Sequence, residues 1–357
     1  MHEPTPGTPS ELISTPQASA PATPQTIPAP ENATASFRLE TGELLHQNQK
    51  IFYRLWQPES QAVAVKTLIH INHGMAEHSE RYQEFATRCV DLGIAVIAHD
   101  HPGHGHSVSD TNELGHFGNS TRTSKNGDST NGWHGLLDSM QAVQDFAYQL
   151  FGAIPTVIFG HSMGSFATLS FLEQKKTQLA ISGVILSGST QNPWYLDQSL
   201  NKLARLESWR QGKRGHSALI NTLTFKAFNN KFKPNRTRVD WLSSDPQAVD
   251  AYVNDPLCGQ QSTNQSWCDF SAGLLELFKP NNLEKLPRNI PYLLIAGDQD
   301  PLSNNGGLQR LETSLSHAGI KNLTSRTFPH GRHELLNEIN HLEVEHVIFS
   351  WLENVST

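Results

Sequence analysis

The chain has 357 residues, 37% of them hydrophobic and 17% charged, with a formal net charge of -7 at pH 7. That length accommodates one large domain with an insertion, or two ordinary domains, and no run of 18 or more apolar residues marks a membrane span. The acidic balance argues against nucleic-acid binding over the whole molecule, and three cysteines without close metal spacing (Cys89, Cys258 and Cys268) argue against a disulfide framework or a zinc site.

The N-terminus opens Met1-His2-Glu3-Pro4, with neither the basic nor the apolar region of a signal peptide. A cytoplasmic protein with reduced thiols is the expectation; Cys258 and Cys268 would pair only after export. Residues 1–35 are rich in Pro, Thr, Ala and Ser, a composition that cannot bury enough apolar surface to offset its ordering entropy, and read as a disordered tail.

In chain order, Phe37 to Glu40 and Lys50 to Trp56 alternate as antiparallel edge strands. Leu68 to Ile71 is a short apolar run ending at His73-Gly74. Tyr82, Phe85, Ala86 and Cys89 recur at helical spacing. Ile94 to Ala98 is a second run, closed by Asp100 and the turn Pro102-Gly103-His104-Gly105. Residues 119–132 hold almost nothing apolar and read as a surface loop. A long helix follows from Trp133 to Leu150, then apolar runs at Thr156–Phe159, Val184–Leu186, Tyr292–Ala296 and Leu323–Phe328, and a last helix from His341 to Leu352. Runs of this kind alternating with helices predict a mostly parallel sheet covered on both faces. The rhythm breaks between about 190 and 285. There Trp194, Leu203, Leu206, Trp209, Leu219, Phe225, Phe228 and Trp241 are spaced for short helices, so residues 190–285 read as a helical cap inserted into a core of 36–189 and 286–357.

Gly160-His161-Ser162-Met163-Gly164 is a G-x-S-x-G pentapeptide. It follows an apolar strand directly and precedes a helix expected from Ser165, the context in which such a serine sits on a sharp strand-to-helix turn. The pattern predicts an α/β-hydrolase fold with Ser162 as nucleophile. A serine hydroxyl needs a base, and the base needs a carboxylate to orient it; in this fold the chain order is Ser, acid, His. Asp298 and Asp300 compete for the acid, and Asp300 is favoured as the one further out along the strand's C-terminal edge. His330 and His333 compete for the base, and His333 is favoured because a helix-like segment follows it. The two oxyanion donors are expected to be the backbone N–H groups of Met163 and Met75.

Three stretches carry a resemblance: His73-Gly74-Met75-Ala76-Glu77-His78-Ser79-Glu80-Arg81-Tyr82, Asp100-His101-Pro102-Gly103-His104-Gly105-His106-Ser107, and the pentapeptide at Ser162. Together with Asp255-Pro256-Leu257-Cys258-Gly259, they resemble monoacylglycerol lipases and the bacterial lysophospholipases grouped with them, over roughly residues 36 to 354. The resemblance implies a cap over the site, an acyl-chain tunnel and ester hydrolysis through an acyl-enzyme. It carries the nucleophile, acid, base and oxyanion donors onto Ser162, Asp300, His333, Met75 and Met163. The polar stretch 119–132 and the Pro-rich tail depart from the family pattern without touching those residues.

Other readings remain open. Cleavage of peptides at a free N-terminus would need an acidic anchor, for which Glu207, Asp240 and Asp245 exist in no telling motif; thioester cleavage is a further variant, and a non-catalytic ligand-binding member of the fold would usually have lost one of the three residues. His99, His101, His104 and His106 around Asp100 invite a metal, yet H-E-x-x-H is absent and a turn already accounts for them; no metal and no organic cofactor are expected. Between 190 and 245 stand ten basic against four acidic side chains, about +6 within a chain of -7. Peripheral docking on the anionic inner face of a membrane is the sharper expectation from that excess, and a solvated surface the plainer one. The partner expected is a small lipid ester.

Overall fold

The computed structural model describes residues 37–59, 65–118, 132–174 and 180–355. The expected tail and residues 119–131 of the polar loop lie outside the described residues. Gly132, grouped with that loop by composition, opens a helix instead.

Eight strands form one sheet: β1 (Phe37–His46), β2 (Gln49–Pro58), β3 (Thr67–Asn72), β4 (Ile94–His99), β5 (Pro155–His161), β6 (Ala180–Ser187), β7 (Tyr292–Gly297) and β8 (Leu323–Phe328). Their spatial order is β1-β2-β4-β3-β5-β6-β7-β8. Strands β1 and β2 pair antiparallel, β2 meets β4 antiparallel, and every pairing from β4 through β8 is parallel. Of the two strands read as edges only β1 is one, the other edge being β8; β2 lies between β1 and β4. Its alternation misleads because Arg54, which reads as a solvent-facing residue, is buried, with its guanidinium on Ser79 Oγ at 2.8 Å and Glu80 Oε2 at 2.6 Å. The continuous apolar runs of β3, β5, β6 and β7 are buried because a parallel sheet is covered on both faces.

Helices α1 (Gln83–Asp91), α2 (Gly132–Phe151) and α3 (Met163–Gln174) precede β6. Between β6 and β7 lie α4 (Trp194–Gln211), α5 (Ala218–Asn221), α6 (Ala227–Asn229), α7 (Pro246–Asn254), α8 (Asn264–Leu277) and α9 (Pro280–Leu283), and α10 (Gly307–His317) and α11 (His341–Glu353) complete the set. One apolar core gathers Leu136, Met140, Leu169, Leu274 and Leu311 from α2, α3, α8 and α10. A second gathers Phe85, Cys89, Val344 and Ile348 from α1 and α11 with Ile71 and Phe159 of the sheet. Among the described residues no helix is long and apolar enough to cross a membrane.

The inserted segment differs from its sequence reading in several ways. Helix α4 is 18 residues long rather than short. Its buried positions are Asp197, Asn201, Ala204 and Glu207, so it carries no apolar stripe for periodicity to find. It is fastened to α8 by polar contacts instead: Asn201 Nδ2 donates to Ser271 Oγ at 2.9 Å and Asn264 Nδ2 to Glu207 O at 3.2 Å. Trp194 and Trp209, expected to pack, are 67% and 82% exposed. Trp241 is buried, but in a turn rather than a helix. Helix α8 packs into the sheet's own core, where Phe270 and Leu274 join Trp133 and Phe166.

Candidate active site

Strand β5 ends at His161 and α3 begins at Met163, two residues before the expected start. Ser162 stands between them at φ 50°, a left-handed conformation that is strained for a residue with a Cβ. Its N–H is held by Ser187 O at 2.9 Å, and its own carbonyl accepts Ser165 N–H at 2.9 Å. The turn closes only because its glycines lack side chains. A Cβ on Gly164 would lie 2.1 Å from Asn72 O, and one on Gly160 would lie 2.6 Å from Gly164 O.

His333 follows β8 and is buried; its Nδ1 lies 3.0 Å from Asp300 Oδ2. Asp300, just beyond β7, is buried too, and its oxygens also accept Leu302 N–H at 2.9 Å and Ser303 Oγ at 2.8 Å. Burial alone would raise the Asp300 carboxyl, but His333 and these donors hold it below its ordinary value. Burial likewise pushes His333 down, and the Asp300 carboxylate more than offsets this, leaving the imidazole above 6.5. Asp298 and His330, the rival candidates, are both exposed. The Nε2 of His333 has no hydrogen-bond partner among the described residues. His333 and Ser162 line one cavity of about 350 Å³, within the range of small-molecule sites.

Met75 lines the same cavity. Its loop is drawn tightly against the serine: a Cβ on Gly74 would lie 3.2 Å from Ser162 Cβ. Gly74 N–H donates to Glu77 Oε1 at 2.5 Å, and Ala76 O accepts both Gly259 N–H and Tyr252 Oη at 2.9 Å. Met163 is buried directly after Ser162. The structure therefore brings Ser162, Asp300, His333, Met75 and Met163 to one place.

Sequence reasoning missed the charged floor of this cavity. Arg81 donates to Glu77 Oε2 at 3.0 Å and to both oxygens of Glu334 at 2.5 and 2.6 Å, and both carboxylates line the cavity. Burial would raise Glu77, but Arg81 and the neighbouring His161 and His73 hold it at about 2. Arg81 and Glu334 stand 253 positions apart, and no local pattern links them.

Of the histidines weighed as metal ligands, His99 and His101 are bonded to each other, and His104 Nδ1 donates to Pro102 O at 3.0 Å. His70 Nε2 meets His99 Nδ1 at 3.2 Å, and His99 Nε2 meets His101 Nδ1 at 3.1 Å. All of these rings are buried, as are His73 and His104, whereas His106 is exposed. Burial pushes His70 and His104 down to about 3. Among the described residues, the one grouping of metal-ligating atoms is His78, Asp255 and Cys258, and its His78 Nε2 and Asp255 Oδ2 are already bonded at 2.7 Å. Cys89, Cys258 and Cys268 are all free thiols.

A family model described as serine aminopeptidase, S33, matches residues 63–340. A monoglyceride lipase homolog of monkeypox virus is 27% identical over 311 residues, 86% of this chain and 95% of that protein. The monoglyceride lipase of Rattus norvegicus is 27% identical over 306 residues, covering 82% of this chain and 86% of its own length. In structure, a thermostable carboxyl esterase from Bacillus coagulans superposes with a TM-score of 0.76 at 24% identity, over 90% of this chain and 99% of that one. With this match over most of its length, an eight-stranded sheet of the expected kind and relatives that are monoglyceride lipases, the chain belongs to the serine aminopeptidase S33 family of α/β-hydrolases.

Proposed function

We propose that the protein is a serine carboxylester hydrolase acting on single-chain lipid esters, monoacylglycerol or lysophospholipid, through an acyl-enzyme. The observation that carries this reading is the Asp300–His333–Ser162 arrangement. A buried carboxylate holds Nδ1 at 3.0 Å, while Nε2, free of any described protein partner, belongs to a ring lining the cavity that Ser162 also lines.

His333 takes the Ser162 hydroxyl proton as Oγ attacks the ester carbonyl, and Asp300 stabilises the imidazolium. The Met75 and Met163 N–H groups hold the oxyanion. His333 then protonates the leaving alcohol, and a water activated by the same ring hydrolyses the acyl-serine. Residues 190–285 serve as a cap that guides the acyl chain, with Phe225, Val239, Trp241 and Leu242 supplying apolar wall. No metal or organic cofactor takes part in these steps.

Peptide cleavage, which the family description brings forward, finds less support. The cavity carboxylates Glu77 and Glu334 are both already engaged by Arg81, which offsets one of their two charges. Of the acids weighed as amine anchors, Glu207 binds Arg210, Asp240 accepts N–H groups of Arg236 and Thr237, and Asp245 caps α7. Fatty-acid release from monoacylglycerol and from lysophospholipid, compared for the wild type and Ser162→Ala, tests the reading. Release from either that vanishes in the variant supports it; no release from either, with cleavage of aminoacyl peptides, sinks it.

The outer face of α4 supports peripheral membrane contact as part of this reading. Trp194, Tyr195, Leu206 and Trp209 are exposed beside Lys202 and Arg205. Aromatic and apolar side chains entering the headgroup region, with cations worth about 1 kcal/mol each, suit an anionic surface. Vesicle binding independent of anionic lipid and of salt would remove the electrostatic part.

A further inference from the structure

The base has a second set of neighbours that the reaction scheme does not use. Two aromatic rings lie against the His333 imidazole, each with its centroid 4.8 Å away: His161 at 49° and Trp241 at 34° between planes. On another side, a Cβ on Gly188 would lie 2.9 Å from His333 Cε1, so the backbone there closes on the ring. His161 ends β5 and Gly188 follows β6, whereas Trp241 comes from the inserted segment.

The turn that carries Trp241 is fastened to the loop that carries His333. The Arg332 guanidinium donates to Asp240 O and to Ser243 O, the latter at 2.9 Å, and Glu334 N–H donates to Leu242 O at 2.8 Å. Ser243 Oγ donates to Asn337 O at 2.7 Å. The Glu338 carboxylate accepts Arg332 N–H at 2.7 Å and Ser244 N–H at 3.1 Å, tying both segments to one side chain. From above, Trp241 is backed by Phe225, stacked at 20° with centroids 5.9 Å apart, and by Phe228 at 5.3 Å. Its indole is therefore pinned on one side by the histidine loop and on the other by the cap's own aromatic cluster.

A general base works only if its ring plane is fixed, because a small rotation removes Nε2 from the line of proton transfer. Asp300 fixes one nitrogen but leaves rotation about that hydrogen bond. A ring pressed on the imidazole face removes that freedom and keeps water away from the pair, and its π face favours the imidazolium formed during the reaction. We propose that Trp241 is a positioning residue for the base: the cap turn Asp240–Ser244, anchored on Arg332, Glu334 and Glu338, holds its indole against His333 and keeps that ring in its productive plane. The cap thereby completes the catalytic machinery as well as roofing the cavity. This rests on the reading of His333 as the base of an ester hydrolase.

The test uses the full chain and p-nitrophenyl acetate, an ester too short to need the apolar wall. Trp241→Ala should lower kcat about 10-fold or more with KM within about threefold, and Trp241→Phe should restore most of the loss. Arg332→Met alters the anchor without lining the cavity, and it should lower kcat in the same way; it also serves if Trp241→Ala fails to fold. The low-field proton resonance of the Asp300–His333 hydrogen bond should broaden in Trp241→Ala and Arg332→Met and persist in Trp241→Phe. A raised KM with unchanged kcat and an unaltered resonance would make Trp241 a wall of the acyl site only and overturn the proposal. Full activity in Ser162→Ala would instead overturn the hydrolase reading beneath it, so the two failures are told apart.

Discussion

His73 Nε2 accepts the backbone N–H of His101 at 2.9 Å, which makes Nδ1 the protonated nitrogen of the neutral ring, and that Nδ1 donates to Gly74 O at 2.7 Å. The Gly74 carbonyl and the Met75 N–H belong to one planar trans peptide and point in opposite directions. Holding the carbonyl back therefore aims the Met75 N–H the other way. His73→Ala should free that peptide and lower kcat about 10-fold or more, short of the 10²–10³ expected for removing an oxyanion donor outright. Steady-state kinetics on a soluble ester checks this, and an unchanged kcat would refute the aiming role.

The pH dependence of turnover follows from the base. His333 must be neutral to accept the serine proton, and its pKa is raised above 6.5 because Asp300 outweighs burial. The profile of kcat/KM should therefore rise with pH through a midpoint above 6.5. Asp300→Asn removes the charge that lifts it, and should move the midpoint down while cutting kcat by roughly 10⁴. A midpoint below 6 in the wild type would contradict the assignment.

Stability should have its own pH dependence, of opposite origin. Burial lowers His70 and His104 to about 3, and lowers His73, His99 and His101 as well. The unfolded chain takes up protons at these rings near 6.5 while the folded one does not, so stability is full above that pH and is lost as pH falls from about 6.5 toward 3. His333, with its raised value, acts the other way but is one ring against seven, since His116 and His161 are lowered too, each to about 4. Each ring that stays neutral withdraws stability as pH falls below about 6, on the order of 1 kcal/mol per pH unit for an isolated one. Melting temperatures measured from pH 8 down to 4 should fall steeply below 6, and His99→Asn should flatten the slope.

Arg81 is the sole partner of neither Glu77 nor Glu334, yet it bridges both. Arg81→Met would leave two buried carboxylates beside the site, at a cost of about 3–5 kcal/mol. Denaturant titration should show that loss, partly recovered when Glu334→Gln is added. A variant as stable as the wild type would mean that water reaches this cluster freely.

The sheet was legible because β3, β5, β6 and β7 each contain a short, mostly apolar run, a signal that survives without knowing which strands touch. Ser162, Asp300 and His333 stood out because a short motif and a fixed chain order narrowed the choice, and their rivals Asp298 and His330 differ mainly in burial, which sequence does not print. The insertion was less legible. Helix α4 buries Asp197, Asn201 and Glu207 and exposes Trp194 and Trp209, inverting the rule that apolar residues face inward. Trp241, Arg81 and Glu334 gain their roles from contacts across the chain, and nothing in their immediate neighbours announces them.

The stitching of Asp240–Ser244 to the histidine loop, together with the packing of α8 into the sheet's core, has a consequence for how a long substrate enters. A roof fixed at that edge cannot lift like a hinged door without dismantling the base beneath it. Residues 212–232 are tied to that same edge, since Asn229 Oδ1 accepts Trp241 N–H at 3.1 Å and Phe225 and Phe228 pack on its indole. There the fold supplies short turns of helix, including a wide turn at Thr222–Lys226, with Leu219 and Leu223 turned outward. Loosening those turns to admit a long chain would therefore also loosen the packing behind Trp241.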